Sequence, residues 1–117
     1  MEKTFDTSRK FADLGIIPPI LKALGEMGFE YPTEIQSRAI PHALARKDII
    51  VMAKTGSGKT AVFGVSMLQL TDPEAEGPQG LILTPTRELA VQVDSDIRQM
   101  AKFLAHRTAV VYGQHSM

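Results

Sequence analysis

Between residues 49 and 60 an apolar run, I-I-V-M-A, passes directly into A-K-T-G-S-G-K-T, and a second apolar stretch follows over 61–70. A short apolar run without polar alternation reads as a strand buried on both faces, and the longer stretch reads as a buried helix. A buried strand that turns through glycine into a buried helix is the repeating unit of an α/β fold. Gly56 and Gly58 let the backbone curl so that successive N–H groups converge on an anion. The helix beginning near Lys59 adds its dipole and its unpaired N–H groups at the same point. In this pattern Thr55, Gly56, Ser57 and Gly58 cradle nucleotide phosphates, Lys59 reaches the outer ones, and Thr60 places its hydroxyl on Mg²⁺. Ala53 stands where the generic pattern has its first glycine, and Lys54 adds positive charge to the rim. A glycine-rich turn that binds nothing would need neither two glycines nor the Lys-Thr pair in this order.

The rest of the chain extends the same alternation. Ile17, Ile20, Leu21, Leu24 and Met27 trace one helical face, with Pro18 and Pro19 in the first turn and Gly28 as a left-handed stop. A second helix is expected from Thr33, with Ile35, Ala39, Ala43 and Leu44 turned inward and Pro41 kinking or breaking it. Proline, glycine and acidic residues over 71–80 read as a surface loop. A strand over 81–84 precedes a helix carrying Leu89, Val93, Ile97, Met100 and Leu104, and a third strand follows over 108–112. The order predicts an α/β fold: a parallel sheet with helices on both faces.

Composition limits the function. The 117 residues suit one small domain, and 44% apolar with 22% charged residues is ordinary globular material. No cysteine is present, which excludes disulfides and thiolate metal sites. Thirteen basic residues balance 13 acidic ones, so binding of any polyanion has to be local. The opening residues lack the apolar core of a secretory signal, and the apolar run at 49–53 is far short of the ~20 residues of a membrane span. The expectation is a cytoplasmic protein without membrane contact. His42, His106 and His115 show no ligand spacing and read as surface or structural residues.

Two further strings narrow the class. The pattern F-x16-G-F-E-Y-P-T-E-I-Q, from Phe11 to Gln36, resembles the Q motif of DEAD-box RNA helicases, including its isolated upstream aromatic. T-P-T-R-E-L-A, at 84–90, resembles that family's motif Ia, and A-K-T-G-S-G-K-T, at 53–60, its P-loop. The three occur in the family's order over nearly the whole chain. The resemblance implies a RecA-like P-loop NTPase domain that binds ATP and Mg²⁺ and contacts RNA. It implies that Gln36 reads the adenine edge through its amide, that Phe29 stacks on the adenine, and that Phe11 buttresses the pocket. It further implies that Pro85, Thr86, Arg87 and Gly113 hold RNA, and that Lys59 and Thr60 serve catalysis.

Plainer readings stand beside these. Thr33-x-x-Gln36 is also a helix capping box. Phe11 and Phe29 suit a core, Pro85 suits a first helical turn, and Arg87 suits a solvated surface.

The chain also departs from the family. Y-G-Q, at 112–114, keeps one glycine where the family has a pair, and Lys54 replaces its usual glutamine. Neither D-E-A-D nor S-A-T occurs in the 117 residues, and nothing resembles the second domain with its arginine finger. In the family's sheet the strands bearing those two strings lie between the P-loop strand and the strand at 81–84. These residues are therefore expected to form an incomplete RecA-like domain that cradles nucleotide without useful turnover, and that associates or folds poorly alone. Two other readings remain open at this level: a truncated, non-catalytic nucleotide- or RNA-binding module, and a different P-loop enzyme such as a small-molecule kinase.

Overall fold

The computed structural model describes residues 5–51 and 58–112. A 3₁₀ turn at Phe11–Leu14 leads through Gly15 into helices α1 (Pro18–Glu26), α2 (Glu34–Leu44), α3 (Lys59–Leu70) and α4 (Arg87–Met100). Helix α3 packs between α2 and α4, and α1 lies against α4. Ile20, Leu24, Ile40, Val65 and Met100, one or more from each helix, are almost wholly buried at the centre. Gln69, near the end of α3, ties in the turn before α1: its amide accepts from the Ile17 N–H at 3.0 Å and donates to the Gly15 carbonyl at 2.9 Å.

Helix α1 ends as its sequence requires. Gly28 takes φ +91°, its N–H donates to the Gly25 carbonyl, and the Phe29 N–H donates to the Leu24 carbonyl at 3.0 Å. This double closure is a Schellman cap, which glycine makes without steric cost. It also fixes where the chain leaves the helix, and so where Phe29 sits.

The structure corrects three expectations. Helix α2 runs unbroken through Pro41, for a reason given below. Leu89, expected on the inner face of α4, is 39% exposed, and the helix ends before Leu104. No strand forms among the described residues; one isolated antiparallel bridge joins Phe5 and Thr33. Two of the runs expected as strands still alternate along the chain: residues 82, 84, 108, 110 and 112 are half-buried, while 81, 83, 107, 109 and 111 are exposed. The run at 49–53, expected to be buried on both faces, is not: Ile50 is 92% exposed, and residues 52 and 53 lie outside the described residues. A strand is defined by its neighbour's hydrogen bonds, and among the described residues no backbone hydrogen bond joins these runs. The sheet is therefore not formed by the residues described.

Candidate functional site

Helix α2 begins at Thr33, whose hydroxyl accepts from the Gln36 N–H at 3.3 Å, while the Gln36 Oε1 accepts from the Thr33 N–H at 2.8 Å. The capping box is thus realised. It does not exhaust the Gln36 side chain. The Nε2 group donates across to the Gly58 carbonyl at 3.2 Å, joining the start of α2 to the start of α3. A primary amide offers two N–H donors and two acceptor lone pairs, so one of each has no partner among the described residues. Gln36 is 2% exposed.

Gly58 caps α3 with φ +92°, a left-handed conformation that glycine adopts freely. Any side chain here would also collide. A Cβ would run into the Gln36 amide nitrogen and lie 3.2 Å from the Thr33 hydroxyl. Lys59 and Thr60 occupy the first turn of α3 and are half-buried, where helix N–H groups have no internal partners. Gln36, Gly58, Lys59 and Thr60 are thereby gathered around one helix start. Thr55, Gly56 and Ser57, with Ala53 and Lys54, lie outside the described residues, as do Gly113 and His115.

Phe29 is half-buried and stacks on Phe11, with ring centroids 5.9 Å apart and planes 23° from parallel. Phe11 is 5% exposed and belongs to the core, so its structural reading holds, and it backs Phe29 from within.

Thr86 caps α4 by accepting from the Leu89 N–H at 3.1 Å. Pro85, Thr86 and Arg87 are all exposed. The Arg87 guanidinium lies 5.8 Å from the Tyr112 ring and forms a 3.6 Å ion pair with Glu88. This cluster stands apart from the Gln36–Gly58 junction in sequence and by element.

Sequence reasoning missed the segment that holds α2. Asp6 takes a hydrogen bond from the Ser37 hydroxyl at 2.7 Å, its own N–H donates to the Pro32 carbonyl at 2.8 Å, and the Ser8 hydroxyl also donates to its carboxylate. Arg9 donates through Nη1 to the Ser37 carbonyl at 3.1 Å and to the Ser37 hydroxyl at 3.2 Å. The carboxyl of Asp6 is held below its ordinary 3.8, first by the Ser8 and Ser37 hydroxyls, against an opposing effect of burial, and to a lesser degree by the Ser8 N–H and the Arg9 charge. Pro41 was the available signal. A proline denies its N–H to the carbonyl four residues earlier, here Ser37, so another donor had to exist.

Among the described residues no group of histidine and acidic side chains could hold a metal ion, and no helix is long and apolar enough to cross a membrane. His106 is structural: its Nε2 lies 3.2 and 3.0 Å from the Thr71 carbonyl and hydroxyl oxygens. An open groove between α1 and α4 is walled by Glu26, Asp94, Arg98 and Lys102, which pair with one another, and contains none of the residues above.

The likeness to known structures gives the class. The protein named RNA-helicase Prp28 from Chaetomium thermophilum, solved with ADP, superposes with a TM-score of 0.83 at 39% identity, over 92% of this chain and 28% of that one. Dbp5 of S. cerevisiae, solved with RNA and ADP BeF3, gives 0.79 at 39% identity, over 82% and 25%. Both likenesses are to RecA-like helicase domains. The Escherichia coli K12 protein named ATP-dependent RNA helicase DeaD is 51% identical over 100 residues, or 86% of this chain and 16% of that protein. The model of the DEAD/DEAH box helicase family matches residues 33–117. The chain belongs to the DEAD/DEAH box helicase family. It spans about a sixth of the length of the E. coli relative.

Proposed function

We propose that residues 1–117 are the N-terminal ATP-binding part of an ATP-dependent RNA helicase, with a Q motif at 11–36, a P-loop at 53–60 and motif Ia at 84–90. The whole protein then couples ATP binding and hydrolysis to separation or remodelling of RNA duplexes in the cytoplasm. The sheet is parallel with helices on both faces, completed by strands that carry the family's acidic motif. The observation that carries this reading is the 3.2 Å bond from Gln36 Nε2 to the Gly58 carbonyl. It sets a side chain with one donor and one lone pair unpartnered among the described residues beside the helix start that bears Lys59 and Thr60. That pairing suits a ligand with a purine edge at one end and phosphates at the other.

In this reading Phe29 stacks on the adenine, backed by Phe11, and Gln36 matches adenine N7 and N6. Residues Thr55, Gly56, Ser57 and Gly58 hold phosphates, and Lys59 balances the charge of the outer ones. The Thr60 hydroxyl holds Mg²⁺, which when bound neutralises charge between the phosphates. Pro85, Thr86, Arg87 and Gly113 hold the RNA backbone; the start of α4 presents N–H groups there, and Arg87 adds a charge-assisted donor.

The test compares ATP and GTP binding in the wild type and in Gln36→Ala. Loss of a paired amide from a purine edge is expected to reduce ATP preference by about tenfold, on the order of 1–3 kcal/mol for such pairings. An unchanged ATP-to-GTP ratio overturns adenine reading by Gln36. Lys59→Ala is expected to weaken both nucleotides alike.

A further inference from the structure

Helix α2 contains a proline that ought to leave a carbonyl orphaned. Pro41 has no N–H, so the Ser37 carbonyl lacks its helical partner. Ser37 is 2% exposed, so little water can serve instead. Arg9 fills that place: Nη1 donates to the Ser37 carbonyl at 3.1 Å from a segment outside the helix and 28 residues earlier. The same guanidinium nitrogen donates to the Ser37 hydroxyl, which in turn donates to Asp6 Oδ2. Asp6 is anchored by its own N–H to the Pro32 carbonyl, and Phe5 bridges Thr33. Residues 5–9 thus grip both sides of the α2 start, at Pro32, Thr33 and Ser37. Gln36 lies in the same turn, between the gripped Thr33 and Ser37, and its own side chain reaches the other way, to Gly58.

We infer that residues 5–9 form a clasp, with Arg9, Asp6 and Ser37 as positioning residues, that sets Gln36 against Gly58 and so fixes purine selectivity without touching the nucleotide. The inference rests on adenine reading by Gln36. Arg9 acts through α2: when its bond to the Ser37 carbonyl is lost, the proline-containing helix loosens at the turn that carries Gln36. Lys59 and Thr60 sit on α3, beyond the Gly58 carbonyl that Gln36 holds. The clasp is therefore expected to govern the base end of the ligand more strongly than the phosphate end.

The experiment measures affinities for ATP, GTP and inorganic tripolyphosphate in the full chain, for the wild type, Arg9→Ala, Arg9→Lys, Gln36→Ala and the double variant Arg9→Ala/Pro41→Ala. Arg9→Ala is expected to lower the ATP-to-GTP ratio about fivefold, at the low end of measured couplings between sites, with a smaller loss of tripolyphosphate affinity. Arg9→Lys, which keeps a cationic donor, is expected to recover part of the ratio. The double variant restores a backbone N–H to the Ser37 carbonyl and is expected to recover it without any side chain at position 9. A parallel loss of tripolyphosphate binding, or no recovery in the double variant, overturns the clasp. A selective loss in Gln36→Ala with none in Arg9→Ala overturns the clasp and spares adenine reading. No change in Gln36→Ala removes adenine reading and the clasp with it.

Discussion

Gly58 shows how one residue can serve both backbone and neighbour. Its φ of +92° costs an ordinary residue about 1–2 kcal/mol, and its missing Cβ is the space that the Gln36 amide occupies. Gly58→Ala is therefore expected to destabilise the chain by about 2 kcal/mol, read from the shift of the urea midpoint. In a Gln36→Ala background the steric part is relieved and the backbone part is not. The double variant is then expected to lose less than the two single losses added together. Asp6 makes a different prediction. Its carboxyl is held below 3.8 in the folded chain by the Ser8 and Ser37 hydroxyls and by Arg9. A depressed folded value means that the contribution is fully present above the unfolded value and is lost as pH falls through the folded one. Lowering the pH from about 6 to about 3 is thus expected to cost the wild type more stability than Asp6→Asn, measured by urea titration at each pH. Equal acid sensitivity in the two proteins would remove Asp6 as a source of it.

At the scale of elements, close approach of α3 and α4 depends on Gly64. A Cβ there would lie 2.9 Å from the Met100 Sδ and 3.3 Å from the Ile97 Cγ1, and Met100 is 1% exposed. Gly64→Ala is expected to cost about 1–3 kcal/mol by overpacking, read from thermal unfolding. Combining it with Met100→Ala exchanges a clash for part of a filled cavity, so the pair is expected to cost less than its sum. The elements also show what the sequence carried legibly. Pro18, Gly28 and Thr33 marked helix ends because caps are local chemistry, written within four or five residues. The inward row of α4 was legible at Val93, Ile97 and Met100 and failed at Leu89, in the first turn, while Leu104 packs on the core from beyond the helix end. Phe29, Gln36, Gly58 and Lys59 could be singled out by motif and spacing. The clasp could not, because Arg9 and Ser37 are 28 residues apart and have no periodic relation. Only the missing N–H of Pro41 pointed to it, and it pointed to a need and not to a residue.

For the whole molecule, the placing of exposed apolar side chains is informative. Several of the large ones lie on the runs that read as strands. Ile50 is 92% exposed, Leu81 80%, Leu83 84% and Val111 59%. The runs at 49–51 and 81–84 also touch the core, through Val51 and Ile82. The sequence foretold strand character because alternation and apolar content are local, but pairing requires neighbours, and these runs do not supply them to one another. Bare apolar edges associate. The 117-residue chain is accordingly expected to form concentration-dependent assemblies, detected by sedimentation velocity. Ile50→Lys, Leu81→Lys and Leu83→Lys together place charge at exposed positions alone. They are expected to shift the population to monomer while leaving helix content by circular dichroism unchanged. A wild-type chain that stays monomeric at about 100 μM, a concentration in the range where exposed edges aggregate, would show that those surfaces are covered within the chain itself.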